Sequence, residues 1–358
     1  FFFKQKTAYE IRNCDWSSDV CSSDLPKVSV VMAVHNGGAY LKEATESILR
    51  QSLRDFELIV VDDGSSDESA ALLEAFGDAR IRILRNQQQL GLSASLNRGA
   101  DTASGDYIAR MDADDVSLPA RLAAQVAFLD RHPEVSIVGC WARTIGERPP
   151  QTWRYPTADA DIRCAFLFHS VLVHSAVMWR RPDFEGHGLR YDEGVERAQD
   201  YELWTRAAEH VCFANLPRVL QHYRLHPDQV GRQQTGAQQA VADTVRVREL
   251  QALGIDSNPA ELELHHDLAR AHYPPGEAGL DKVEAWFNKL LAANQVSQRY
   301  PAEALKRTLG RHWLLACRRV VRQLGMVAWR RYRSSSLSWG FYLELWLKAR
   351  LAELRGAQ

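Results

Sequence analysis

Cysteines in any pairing or metal-binding spacing are missing from this 358-residue chain: Cys14, Cys21, Cys140, Cys164, Cys212 and Cys317 form no CxxC and no zinc-type pattern. A disulfide framework and a structural zinc module are thereby excluded, and a reducing, cytoplasmic setting is the expectation. Long apolar runs are missing too. None reaches the ~18 uncharged apolar residues of a bilayer span, so no transmembrane helix is expected. Overall charge is close to balanced, with 44 Lys and Arg against 45 Asp and Glu, and at 46% hydrophobic and 25% charged the composition is that of a folded chain rather than a disordered one. The glycine fingerprint GxGxxG is also absent: His35-Asn36-Gly37-Gly38 stands at the first strand-to-helix turn. A dinucleotide-dependent oxidoreductase, which the strand-turn-helix order superficially suggests, loses its main support.

The balanced charge hides an asymmetry. Residues 301–358 carry twelve Lys or Arg against Glu303, Glu344 and Glu353 alone. Basic clusters Arg318-Arg319 and Trp329-Arg330-Arg331-Tyr332-Arg333, followed by Trp339, Phe341, Tyr342 and Trp346, suit peripheral contact with an anionic membrane at the inner face of the plasma membrane, aromatics at the headgroups. A helical bundle with a solvated basic face accounts for the same residues. No nucleic-acid motif accompanies the charge, so nucleic acid is not an expected partner. At the other end, the run Asp15 to Leu25 resembles one reading frame of a sequencing adapter. Residues 1–25 are therefore set aside as a non-native or disordered leader, lacking the apolar core of a signal peptide.

From Pro26 the pattern alternates between apolar, β-branched runs and helical spacing. Strands are expected at Val28–Val34, Glu57–Val61, Ile81–Leu84, Tyr107–Met111 and Val135–Trp141, with helices from Tyr40 to Gln51, Ala70 to Phe76, Ser93 to Ala103 and Ala120 to Leu129. Such continuous strands imply an α/β fold, a Rossmann-like mostly parallel central sheet covered on both faces. Ligands bind such sheets at the carboxyl ends of the strands. Three polar features fall there: the Asn36-Gly37-Gly38 turn, Asp62-Asp63, and the acidic run Asp112, Asp114, Asp115. The last offers carboxylates for a hard cation, Mg²⁺ or Mn²⁺, which keeps free positions for phosphate oxygens. Its alternative is an acidic loop in which Asp115 or Ser117 caps the helix near Pro119. Further on, Val171–Trp179 reads as a strand and Gln199–Ala208 as a helix with Tyr201 and Trp204 in the core. From residue 231 the chain is read as a mainly helical C-terminal extension.

Five ordered motifs resemble family 2 glycosyltransferases of the GT-A fold across residues 26–230: Val28 to Gly37, Val60 to Asp67, Leu90 to Asn97, Gly105 to Asp115, and Ala198 to Trp204. The resemblance implies a metal-dependent, inverting transfer of a sugar from a nucleoside diphosphate donor to a hydroxyl of a saccharide or lipid-linked acceptor. It also implies roles. Asp112 and Asp114 match the DXD motif, Asp114 as metal ligand and Asp112 facing the donor; Ala33, His35, Asp63 and Gly91 line the donor site. Asp200 matches the general base, His226 a late metal-side histidine, and His174 an acceptor-side histidine. Two departures stand out: Gln199 precedes Asp200 where many relatives carry Glu, and Ser175 follows His174 where Pro is commoner. A nucleotidyltransferase or a catalytically silent sugar-nucleotide-binding subunit are the competing readings.

Overall fold

Residues of the first strand, β1 (Val28–Val34), alternate between two buried sides. Val28, Val30, Met32 and Val34 join one apolar core while Val31 joins another. A run that must satisfy both faces cannot alternate with polar residues, which is why it reads as uninterrupted. In this computed structural model, which describes residues 25–227, 229, 235–338, 342 and 346–347, β1 is followed by α1 (Gly38–Leu49), β2 (Phe56–Asp62), α2 (Ser69–Ala75), β3 (Ile81–Arg85), α3 (Leu92–Thr102) and β4 (Tyr107–Asp112). Next come β5 (Val116–Ser117), α4 (Arg121–Arg131), β6 (Val135–Gly146), β7 (Thr152–Trp153), α5 (Asp159–Ala165), β8 (Met178–Arg180), α6 (Arg181–Gly186), α7 (Gln199–Ala207) and β9 (Cys212–Leu225). The leader through residue 24 lies outside the described residues, as do Trp339, Phe341 and residues 348–358.

The strands form one mixed sheet in the order β3-β2-β1-β4-β8-β6-β9-β5, with β7 on β6. Strands β3, β2, β1 and β4 are mutually parallel, as expected; β8 enters antiparallel to β4, and β6 then runs parallel to β9. Helices α1 and α4 cover one face through Leu41, Ala44, Ile48, Leu122, Val126 and Leu129; α3 and α7 cover the other through Leu96, Tyr201, Leu203 and Trp204. The expected placement of Tyr201 and Trp204 in the core holds, at 3% and 0% exposure.

One expectation is corrected. Val171–Trp179 is not a strand: a 3-10 turn occupies His174–Ala176, and only Met178–Arg180 pairs with the sheet. The carbonyls of Ser175 and Ala176 are taken by side chains of α4, Arg121 Nη1 at 2.6 Å and Gln125 Nε2 at 2.8 Å, so this apolar segment is buried without a ladder.

Beyond the sheet, α8 (Thr235–Ala252), α9 (Pro259–Ala269), α10 (Gly276–Ser297), α11 (Ala302–Leu324) and α12 (Met326–Ser334) build a helical layer. It is continuous with the sheet unit, because Cys164, Leu167 and Phe168 share a core with Leu280, Phe287, Leu309 and Trp313. Histidines sit in this seam. His265 Nε2 bonds the Leu167 carbonyl at 2.9 Å, His312 lies tilted against Phe168 and bonds Tyr273, and half-buried His169 encloses an unpartnered Nδ1. Burial pushes His265 and His312 down to about 3 and His169 to about 4, with Arg246 adding to the effect at His265 and His169. A histidine held neutral in the fold stabilises it above the unfolded value near 6.5 and loses that contribution as pH falls below it. Between pH 7 and 5, His265 and His312 together are expected to cost up to about 4 kcal/mol of stability. Urea unfolding at the two pH values checks this, with His312→Gln flattening part of the slope; identical slopes in both proteins would contradict it.

Candidate functional site

Register places the site. In the sheet, Ala33 stands opposite Val61 on one side and Asp112 on the other, while Val34 stands opposite Asp62. The polar turns that follow these strands therefore open along one edge, as expected from the strand order. They are tied together: Asn36 Oδ1 accepts from Ser66 N at 2.9 Å, the Gly37 N–H donates to Ser69 Oγ at 2.9 Å, and exposed His35 Nδ1 bonds the Asp63 carbonyl at 2.9 Å.

Asp63 is only 4% exposed, and both of its oxygens are engaged by protein donors. Asn86 Nδ2 (2.6 Å), Leu90 N (2.8 Å) and Gly91 N (2.9 Å) all donate to it. Burial pulls its pKa upward, yet these donors outweigh it and hold the carboxyl below its ordinary value. The residue fixes the loop that begins α3, where Gly91 adopts φ +96°, a conformation that favours glycine. Asp62 serves its turn by accepting from Ser65 N at 3.0 Å.

The acidic run follows β4 directly. Asp112, Asp114 and Asp115 each place an oxygen within 4.8 Å of the others, the one such group among the described residues. Their surroundings differ. Asp112 is ion-paired with Arg110, whose guanidinium is fully enclosed. Asp115, 0% exposed, accepts from Arg224 N at 2.8 Å and from the Ser175 hydroxyl, with Gln221 Nε2 at 3.4 Å. It neither caps α4, which starts at Ala120 without a side-chain cap, nor faces solvent. Asp114 keeps 28% of its side chain exposed, and its Oδ2 lies 3.0 Å from Nε2 of His226. Burial first, then the neighbouring Asp112, push Asp114 upward, and Asp115 further with Asp114 adding.

Strand β9 delivers His226. Pairing of Ser117 with Gln221 and Val116 with His222 carries the end of β9 past the acidic loop. Arg224 clamps that crossing by donating Nε to the Asp114 carbonyl at 2.8 Å and reaching Glu43 on α1 at 2.5 Å. Neither β9 nor the clamp is visible in the motif pattern.

Within electrostatic reach of Arg110 stands Asp200, half-buried in the first turn of α7. The N-cap of that helix is Ala198, in the left-handed region with φ 50° and ψ 26°. Burial raises the Asp200 pKa, Asp112 adding to it, while the Tyr201 N–H and the charge of Arg110 oppose. His174 Nε2 meets the Tyr191 hydroxyl at 2.8 Å, and burial beside Arg110 depresses it well below an ordinary histidine, so it stands neutral. Arg110 thus lies within electrostatic reach of Asp112, Asp114, Asp200, His174 and Tyr191. Motif reading passed over it. The available signal was a cation inside an otherwise apolar strand, which is costly to bury unless it is paired.

The strain at Ala198 can be weighed. A left-handed alanine costs about 1–2 kcal/mol, while glycine there forfeits about 0.8 kcal/mol of methyl burial and about 0.5–1 kcal/mol of backbone entropy. Ala198→Gly is therefore expected within about 1 kcal/mol of wild type, whereas Ala198→Val, β-branched and 8% exposed at the parent residue, loses about 2 kcal/mol or more. Thermal melts of the two variants check this; equal melting temperatures would contradict it.

Comparison with known proteins agrees with this geometry. The family model "Glycosyl transferase family 2" matches residues 29–188. An uncharacterized glycosyltransferase of Haemophilus influenzae is 30% identical over 261 residues, covering 67% of this chain and 81% of the relative. The O-antigen biosynthesis glycosyltransferase WbnJ of Escherichia coli is 32% identical over 209 residues, 56% of this chain and 81% of WbnJ. Among solved structures, S. aureus TarS 1–349 in complex with UDP-GlcNAc superposes with a TM-score of 0.54 at 17% identity, over 92% of each chain. The mannosyltransferase PcManGT of Pyrobaculum calidifontis, in complex with GDP-Man and Mn²⁺, gives 0.52 at 16% identity over 93% of this chain and 88% of its own. These two likenesses speak for the GT-A fold. With its sheet, its motif order and its relatives in agreement, the chain belongs to glycosyltransferase family 2.

Proposed function

We propose that this glycosyltransferase moves a sugar, with inversion, from a nucleoside diphosphate donor to an acceptor hydroxyl, with Mg²⁺ or Mn²⁺ at Asp114 and with Asp200 as general base. The observation that carries the reading is the set of carboxylates within electrostatic reach of Arg110: the cluster Asp112, Asp114 and Asp115, and half-buried Asp200, whose pKa burial raises.

The donor set suits a hard cation. Asp112 is occupied by Arg110, and Asp115 by Arg224, Ser175 and Gln221, which leaves Asp114 with His226 beside it as the available ligands. One or two protein ligands is what Mg²⁺ or Mn²⁺ takes when phosphate oxygens fill the other positions. Bound there, the cation would offset the charge that grows on a departing diphosphate. Asp112 faces the donor, Asp63 shapes the Leu90–Gly91 loop over it, and Ala33 and His35 line the same edge. Asp200 takes the proton of the acceptor hydroxyl, a task for which a carboxyl raised toward neutral pH is suited. Neutral His174 contributes a hydrogen bond on the acceptor side. A saccharide or lipid-linked saccharide is the acceptor in this reading, in keeping with WbnJ, a relative named for O-antigen biosynthesis.

Melting temperatures with UDP-, GDP- and dTDP-sugars, with Mn²⁺ or with chelator, test the reading. One nucleotide class is expected to stabilise the protein only when metal is present. No stabilisation by any donor would contradict the proposal, and binding without transfer to any acceptor would favour a silent sensor.

A further inference from the structure

From Ala304 to Leu343 the sequence runs forty residues with nine Lys or Arg and no Asp or Glu. Eight of these cations fall into two groups in the structure. Arg307 pairs with Asp161 at 2.8 Å, Arg331 reaches Asp281 and Glu284, and Arg333 lies 5.9 Å over the Trp329 ring. Lys306, Arg311, Arg319, Arg322 and Arg330, by contrast, are exposed and make no ion pair among the described residues. Three of these, with Leu315, recur at spacings of four, four and three along α11: Arg311, Leu315, Arg319, Arg322. Residues so spaced form one stripe of a helix. The opposite side of α11 is spent on the core through Leu305, Leu309, Trp313, Ala316 and Val320.

Exposed apolar side chains accompany these arginines along the chain. Leu315 is 42% exposed, and Val327, just ahead of Arg330 on α12, is 37% exposed. Trp329 and Tyr332, which the sequence suggested for a headgroup layer, are instead core residues at 9% and 0% exposure. Deep insertion of an amphipathic helix is thereby ruled out for this segment, since its apolar side is committed to α10 and α5. Among the described residues no helix is long and apolar enough to cross a membrane.

We propose that this face of α11 and α12, from Arg311 to Arg330, docks on an anionic phospholipid surface, with the arginines at the lipid phosphates and Leu315 and Val327 at the headgroup boundary. Charge complementarity selects the occupant: a cationic stretch with no acid of its own between Ala304 and Leu343 attracts a negative leaflet within a Debye length, and two isolated aliphatic side chains add shallow contact. The inference fits a lipid-linked acceptor but does not depend on the donor chemistry.

Co-sedimentation of the full chain with phosphatidylcholine vesicles, with and without phosphatidylglycerol, tests it. Wild type is expected to bind only the anionic vesicles, less so at high salt. Arg311→Glu, Arg319→Glu and Arg322→Glu combined should weaken binding about 100-fold or more, while three equivalent reversals at exposed Lys42, Arg54 and Arg82 change it far less. Unaltered transfer to a soluble acceptor by the stripe variant shows that it is folded and keeps this result separate from the catalytic reading. Equal loss in both triple variants, no loss in the stripe variant, or tighter retention on duplex DNA than on anionic vesicles would overturn the proposal.

Discussion

Asp200→Asn is expected to lower turnover about 10²-fold or more while leaving donor affinity within a factor of about two. Asparagine has nearly the same shape and can still accept from the Tyr201 N–H, so the start of α7 stays in place. What is lost is the capacity to take a proton. The wild-type rate should also fall on the acid side as Asp200 protonates, at a pH above that of an ordinary carboxylate because burial raises its pKa. That limb should disappear in the variant. Turnover and donor titration on the same preparations check both statements, and unchanged turnover would remove Asp200 from the chemistry.

Asp114→Ala is expected to act on the other half of the reaction, weakening metal-dependent donor binding about 100-fold. Of the three clustered carboxylates, Asp114 alone has no guanidinium or backbone N–H bound to its side chain; its recorded partner is His226 at 3.0 Å. Removing it also relieves repulsion, because the clustered carboxylates raise one another. The variant should therefore fold at least as well as wild type while binding donor poorly. A destabilised protein with intact donor affinity would indicate a purely structural aspartate.

The opposite behaviour expected of these two variants follows from how the site is assembled, and the parts differ in how far a sequence can foretell them. The edge where Asn36, Asp62 and Asp112 meet follows from periodicity alone: β-branched runs buried on both faces must be parallel neighbours, and their C-terminal turns then share a rim. The placement of Tyr201 and Trp204 followed from helical spacing in the same way.

Other features depend on contacts that no local pattern encodes. Strand β9 escapes recognition because Pro217 sits within it; the ladder to β6 skips from Leu216 to Val219, so Pro217 and Arg218 lie in an irregularity that a proline can occupy. Without β9 there is no reason to expect Arg224 on Asp114 and Asp115, or His226 beside them. Val171–Trp179 misleads in the reverse direction, as its apolar run is buried by α4 side chains that take its carbonyls. Asp115 reads as ligand or cap, and only the fold shows it enclosed by Ser175, Gln221 and Arg224. Arg110 becomes legible once burial is known, because an enclosed guanidinium demands the carboxylates around it.

In the proposed function, donor binding rests on one cation site built by Asp114. Electron paramagnetic resonance of Mn²⁺ titrated into the protein with a nucleoside diphosphate measures it most directly. Wild type and Asp200→Asn are each expected to bind one Mn²⁺ per chain, and Asp114→Ala to lose it. A bound-Mn²⁺ signal of undiminished strength in Asp114→Ala, or none in wild type, would contradict that expectation.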